Sequence, residues 1–433
     1  VSPPAFRPEA KLPLNIGVVG AGWAGLAAAV TAVQAGHSVT VFESARTAGG
    51  RARSVAHAAP CGDPSLTLDN GQHILIGAYT DTLALMRTVG VDPDQALLRL
   101  PLDLRDQDGS GIVLPDAAPP WDALLGIVRA RGWRWGDKLA LLAATTRWQL
   151  RGFRCAPQLS VASLCSGLPE RVMRAFVEPL CLSALNTPSE RASAQVFLRV
   201  LRDALLGGRG GSNLLIPRMP LGQLFPEPAM AWLQQRGHTV RLGHRVASLQ
   251  RSGSSWLMDG LPFDRVLLAC PSWEAARLVR GAATASEDWL AQAEALQFEP
   301  ITTVYARSRT RLPRAMTALA SGPDAPAQFV FDRRHLADAD GLLAFVISVS
   351  AGTRESLEQQ VLRQGREQLG LADLTAVTTI VEKRATFACT PGLARPATRI
   401  APGLSACGEY VAGPYPGTLE GAVRSAHDAV ATL

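Results

Sequence analysis

Residues 16–19 (Ile16, Gly17, Val18, Val19) are apolar without a break, the pattern of a short buried strand. The loop Gly20-Ala21-Gly22-Trp23-Ala24-Gly25 follows at once. Small apolar residues then fill 26–35 and stop at Gly36, which reads as a helix with a glycine end. Residues 37–42 predict a second strand that ends in Glu43, and 66–68 a short strand entering the polar turn Asp69-Asn70-Gly71-Gln72-His73. Further along, 100–207 is helix-rich, with a helical run at 200–206. Residues 238–241 and 246–249 alternate as strands, and 263–271 reads as a buried strand leading to a loop. Apolar strands are expected at 301–306, 329–331 and 342–349, and a last strand–turn–helix over 404–422. The glycine-rich run 207–211 follows a helix, not a strand, so it reads as a linker and gives no second nucleotide loop.

Strand, glycine loop, helix, strand and acid within about 30 residues form a dinucleotide site of Rossmann type. Gly20 permits the tight turn, Gly22 lets the backbone approach a pyrophosphate, and Gly25 lets the helix lie close to the strand. The helix start, with Trp23 and Ala24, offers free N–H groups and a partial positive charge to phosphates. Glu43, with Ser44 beside it, is placed to hold a ribose diol. Gly49-Gly50-Arg51 adds a second glycine turn and a guanidinium able to clamp the pyrophosphate from another side.

Composition changes this picture little. The 433 residues suit two structural units, and 47% hydrophobic with 18% charged residues is ordinary for a folded chain. Cys61, Cys155, Cys165, Cys181, Cys270, Cys389 and Cys407 show no C-x-x-C spacing, so neither a metal site nor a disulfide framework is expected. The Pro-rich start lacks the apolar stretch of a signal peptide, and no segment approaches the roughly 20 apolar residues of a membrane span. A cytoplasmic protein is expected. A pI of 9.2 is too general to argue for nucleic acid, and no nucleic-acid partner is expected. Charge matters in one place. Seven basic residues between 121 and 154 (Arg129, Arg131, Arg134, Lys138, Arg147, Arg151, Arg154) stand against Asp122 and Asp137. Trp121, Trp133, Trp135 and Trp148 lie in the same stretch, a composition suited to peripheral contact with the inner face of a membrane. Helical spacing alone does not put these charges on one clean face.

Glu43…Gly49-Gly50-Arg51, Asp69-x-Gly71-x-His73 and the tail Gly408-Glu409…Pro416-Gly417-Thr418-Leu419-Glu420-Gly421-Ala422 resemble the FAD-dependent amine oxidase and phytoene desaturase superfamily. The resemblance implies an α/β fold: a Rossmann-type (GR2-like) FAD-binding domain, discontinuous in sequence, with an inserted α+β substrate domain. The FAD domain would comprise 14–99, 208–271 and 399–433, and the substrate domain 100–207 and 272–398. It further implies that the backbone at Val246 meets the adenine side and that Glu409, after Gly408, holds the ribityl chain. Backbone N–H groups of Thr418, Leu419 and Glu420 would meet the pyrimidine end of the flavin. Gly71, Gln72 and His73 would lie near its ring.

Residues 69–79, the run Phe176-Val177-Glu178-Pro179-Leu180-Cys181 with Asn186-Thr187-Pro188, and Tyr415 to Ala422 resemble the hydroxysqualene dehydroxylase branch. That branch implies a reduction of the C30 allylic alcohol hydroxysqualene to squalene in bacterial hopanoid synthesis. Hydride would pass from reduced flavin to an allylic cation, with electrons from an external donor that the sequence does not reveal. His73 and Glu178 are the candidate proton donors; a structural histidine, and a helix-end or salt-bridge glutamate, are the readings set against them. The alternatives are a carotenoid-type desaturase, an amine oxidase, and a non-enzymatic isoprenoid escort protein.

Overall fold

The computed structural model describes residues 12–56, 67–106, 108–282, 286–336 and 341–433. The Pro-rich start, Cys61 and Leu66 lie outside them. The uninterrupted apolar run becomes the strand Asn15–Val19, buried from Ile16 onward, at the middle of a six-stranded sheet. Its order is Thr239–Leu242, Ser38–Glu43, Asn15–Val19, Arg265–Leu268, Leu404–Ala406, Arg399–Ala401. The first five strands run parallel, and only the last pairing is antiparallel. Gly17 sits opposite Thr40 on one side and Val266 on the other. Strands buried on both faces explain the continuous apolar runs, because helices cover the sheet. The helix Trp23–Gln34 packs against Leu419–Ala431 and Pro226–Gln235, its alanines fully buried at this contact. Three distant parts of the chain thus build one α/β layer.

The second unit is organised around a five-stranded antiparallel sheet: Met316–Ala318, Phe329–Asp332, Leu342–Ser348, Phe298–Arg307, Thr375–Phe387. The helix Arg354–Leu369 packs on it through Leu357, Val361 and Leu369. The helices between 121 and 206 close its other side over a large apolar core that includes Phe176, Phe197 and Trp148.

One expectation needs correction. Residues 246–248 are not a strand; the strand is Leu249–Ser252, first of a three-stranded antiparallel sheet that the sequence reading did not foresee. The reason is Asp259, whose carboxylate accepts hydrogen bonds from the N–H groups of Ala247 and Ser248 and so takes them out of any ladder. In the basic stretch the acids and the arginines differ in exposure. Asp122 and Asp137 are buried, while Arg129, Arg131, Arg134, Arg147, Arg151 and Arg154 are exposed. Trp133 and Trp148 are buried as well, leaving Trp121 and Trp135 outside.

Candidate functional site

The glycine loop is set by close backbone approach. Gly20 has φ +109°, and a Cβ on it would lie 2.6 Å from the carbonyl oxygen of Ala269. A Cβ on Gly25 would lie 1.9 Å from the carbonyl oxygen of Gly20. Gly22 differs, since the nearest atom to its Cβ would be Gly50 Cα at 3.7 Å. No side chain caps the helix that Gly22 opens, so the first-turn N–H groups of Trp23, Ala24 and Gly25 remain available. Gly22 bridges to Gly49, whose N–H donates to Ala21 O at 2.8 Å. The first and second glycine turns therefore face each other across an open cradle. Glu43 sits at its rim, where Oε2 accepts from the Ala21 N–H at 2.7 Å and Oε1 from the Ala45 N–H at 2.8 Å. The Ser44 hydroxyl also donates to Oε1, at 3.3 Å. Val246 is buried nearby, its carbonyl accepting from Arg277 Nη2 at 2.8 Å.

Arg51 joins the two ends of the chain. Its guanidinium pairs with Glu409, and Nη1 donates to the carbonyl of Ala385 at 3.0 Å. Gly408 donates its N–H to Ser425 Oγ at 2.8 Å, which fixes the strand end against the last helix. Thr418 caps that helix, accepting from the Gly421 N–H at 3.0 Å. The N–H groups of Leu419 and Glu420 precede that capped position and have no capping side chain. The Glu420 carboxylate is fully buried and occupied elsewhere. It accepts from the Thr82 N–H at 2.9 Å, Thr82 Oγ1 at 2.7 Å and Arg424 Nε at 2.8 Å. It thereby caps the helix Thr80–Thr88, whose own N-cap supplies no side-chain bond.

The turn at 69–73 is tied by charged and polar side chains. Asp69 accepts from the Leu221 N–H at 2.8 Å and Ser54 Oγ at 3.2 Å, and its Oδ2 lies 3.6 Å from Arg333. Burial pushes its carboxyl pKa up, against the pull of these partners. Arg333 also donates to Gln72 Oε1 at 3.2 Å, and Asn70 donates to Glu382 at 2.9 Å. His73 Nδ1 lies 3.0 Å from the Gly71 carbonyl; a carbonyl only accepts, so Nδ1 carries the proton and Nε2 is the basic nitrogen. Burial lowers the His73 pKa, opposed by the Gly71 carbonyl and Asp69. Glu178 is elsewhere, at the start of the helix Glu178–Leu185, where it accepts from the Ser189 hydroxyl. No ion pair or hydrogen bond joins it to His73 among the described residues. Arg333 and Glu382 escaped the sequence reading; the signal was the polar run Asp332-Arg333-Arg334 directly after a buried strand.

Of the five buried hydroxyls without a partner among the described residues, two lie here: Thr303 Oγ1 beside Gly71, and Tyr410 next to Glu409. With the open glycine cradle and the uncapped helix starts, they fit a dinucleotide that runs from the loop to the C-terminal helix. The family pattern of flavin containing amine oxidoreductases matches residues 23–433. The chain belongs to that family. Its cofactor is FAD, and it is an oxidoreductase.

Within the family, two curated relatives cover the chain almost end to end. Hydroxysqualene dehydroxylase of Rhodopseudomonas palustris is 30% identical over 96% of this chain and 97% of its own. That of Sinorhizobium fredii is 28% identical over 96% and 98%. A probable zeta-carotene desaturase of Synechococcus elongatus is 26% identical, over only 55% of this chain and 51% of its own. Among solved structures, cyclohexylamine oxidase from Brevibacterium oxydans superposes with TM-score 0.72 at 16% identity, over 97% and 98% of the two chains. That likeness shows the shared fold alone.

Proposed function

We propose that the protein carries out FAD-dependent reductive dehydroxylation of hydroxysqualene to squalene. The observation that carries this reading is the end-to-end similarity to proteins of that name, where the desaturase likeness spans little more than half the chain. In the reaction the allylic C–O bond breaks with its electron pair on oxygen, the oxygen takes a proton, and a hydride forms the new C–H bond. Reduced FAD, when bound, supplies the hydride. In this reading the N–H groups at 23–25 and Arg51 hold the pyrophosphate side. Glu43 and Ser44 hold the ribose, Val246 meets the adenine, and Gly408-Glu409 with the N–H groups of Thr418, Leu419 and Glu420 orient the ring end. His73 is the proton donor: burial disfavours its cation, so a proton carried on Nε2 is given up more readily than by a free imidazole. Glu178 is the second candidate. The same reading assigns 14–99, 208–271 and 399–433 to cofactor binding, and 100–207 and 272–398 to the substrate.

The substrate is a bilayer hydrocarbon, and one surface suits that source. Among the described residues, no helix is long and apolar enough to cross a membrane. The helix Trp135–Leu150 instead exposes Trp135 (67%), Leu139 (60%) and Leu150 (83%) along one stripe at helical spacing. Trp121 (60%) adds to it, and exposed arginines flank it while both acids are buried. An exposed apolar stripe with exposed arginines beside it supports docking on an anionic lipid surface. Incubation of the FAD-loaded protein with hydroxysqualene and a chemical reductant should yield squalene, detected by mass in the lipid extract, only when the flavin is reduced. Untouched hydroxysqualene, with desaturation of phytoene under oxidant, would move the assignment to the desaturases. Flotation with anionic liposomes should be lost in a Trp135→Ser/Leu139→Ser/Leu150→Ser variant.

A further inference from the structure

One cavity outside the cofactor cradle is distinguished by its charge. It measures about 350 Å3 and lies where the chain leaves the helix Trp135–Leu150, against the helix Ala194–Leu206 and the turn at 413–416. Arg154, Arg199, Arg202 and Arg395 line it, with Phe153 and Tyr415 among its apolar walls. The one carboxylate bonded to this cluster is Asp203, which accepts from Arg199 Nε at 2.5 Å, Arg202 Nε at 2.9 Å and the Tyr415 hydroxyl. Among the described residues no acid is bonded to Arg395, though the Glu409 charge acts on it; its guanidinium donates to the main-chain carbonyls of Val411 and Gly413. Arg154 forms no ion pair among the described residues.

Four arginines therefore line one concave site, offset by Asp203, which is bonded to two of them, and by Glu409, whose charge acts on Arg395. Guanidinium does not escape this repulsion by losing its proton, and burial around Arg395 works further against its charge. The arrangement is complete only with an anion. A guanidinium fork matches phosphate oxygens two at a time, so a phosphate group suits the site. The apolar walls call for an organic group attached to that phosphate. A cavity near the lower end of the ligand-pocket range, about 300–1,000 Å3, holds a head group and its first few atoms, not a C30 chain.

We propose that this cavity binds an amphipathic phosphate ester, with the phosphate on the arginine cluster and the organic part against Phe153 and Tyr415. Two sources share that chemistry. One is a phospholipid head group at a bilayer, since Phe153 and Arg154 lie three and four residues beyond the exposed Leu150. The other is a soluble phosphate ester such as a nicotinamide dinucleotide. The site does not depend on the direction in which the flavin works. It does touch the cofactor end: Tyr415, held at φ +56°, accepts from Thr418 Oγ1 at 2.8 Å through its carbonyl, so an occupant here presses on the turn that starts the last helix.

The test uses FAD-loaded protein, so the cofactor site is filled, and inorganic pyrophosphate as the probe in titration calorimetry. The wild type should saturate, and an Arg154→Ser/Arg202→Ser variant should bind at least about tenfold more weakly with an unchanged flavin spectrum, the loss expected for two charge-assisted contacts. Should the double variant fail to hold FAD, Arg154→Ser alone, which has no ion pair to lose, carries the same expectation. No saturation in the wild type, or equal binding by the variant, overturns the site. Displacement of pyrophosphate by phosphatidylglycerol vesicles alone assigns the lipid source, and displacement by the reduced dinucleotide alone assigns the soluble one. Displacement by neither overturns the amphipathic ligand.

Discussion

The glycine loop at 20–25 and the polar turn at 69–73 both concentrate polar groups near the cofactor path, yet they satisfy them in opposite ways. The loop is tied mostly by main chain: Gly20 donates to Phe42 O at 2.7 Å and Gly49 to Ala21 O at 2.8 Å, with Glu43 from the adjoining strand taking the Ala21 N–H, and the N–H groups at 23–25 are left uncapped. The turn is closed by side chains from far along the chain, with Arg333 on Asp69 and Gln72, and Glu382 on Asn70. The loop is open toward a ligand and the turn is closed on itself. Substitutions in the first should separate folding from cofactor binding, whereas in the second loss of a charged partner is a loss of stability.

The sharpest break is between two glycines three residues apart. Gly25→Ala puts a Cβ 1.9 Å from the Gly20 carbonyl oxygen, which only a backbone shift relieves. It should cost more than about 4 kcal/mol and leave little folded protein. Gly22→Ala meets nothing nearer than 3.7 Å, so the FAD-free protein should melt as the wild type does. Its FAD affinity should fall at least about tenfold, because the methyl group occupies the surface that a pyrophosphate approaches. Thermal melts of FAD-free protein beside flavin titrations read both effects. Equal damage to folding by the two substitutions would erase the distinction.

The turn should respond asymmetrically to loss of either charge. Asp69→Asn leaves Arg333 buried with no counter-charge and should cost about 3–5 kcal/mol in urea unfolding at neutral pH. Arg333→Met should cost less. The Asp69 carboxyl, already raised in pKa by burial, can take a proton and stay neutral, which a guanidinium cannot match by losing one. The penalty of Arg333→Met should also shrink as pH falls toward the raised Asp69 value, while that of Asp69→Asn should not. Matching penalties at every pH would mean that Asp69 stays charged in the fold.

Much of the open half was legible in the sequence because its determinants are local. Strand, loop, helix, strand and Glu43 lie within one short stretch, and buried parallel strands write themselves as unbroken apolar runs. The closed half was legible only as buried strands. Nothing near Asn70 points to Glu382, and apolar alternation does not say which charged residue at a strand end turns inward. Glu420 shows the same limit from the other side. The motif marks it as a cofactor residue, but its carboxylate caps a helix that begins at Thr80. In the stretch 121–154 the sequence supplied the charges, while the fold buried Asp122 and Asp137 and left the arginines exposed.

The smallest expected effect lies at His73 and bears on how tightly the turn is closed. Burial is the largest influence on its pKa and lowers it from 6.5, so the native state favours the neutral ring more than the unfolded chain does. The sign follows from proton binding. As pH falls below 6.5 the unfolded state takes up the proton first, and native stability declines over that window. His73→Gln keeps a polar side chain but removes the titration, so its melting temperature should fall less steeply between pH 8 and pH 5 than that of the wild type. Parallel slopes would show a ring that solvent reaches freely, and a turn more open than its hydrogen bonds imply. A flatter slope in the variant would place the histidine inside the closed network, where a proton gained during turnover is readily given up.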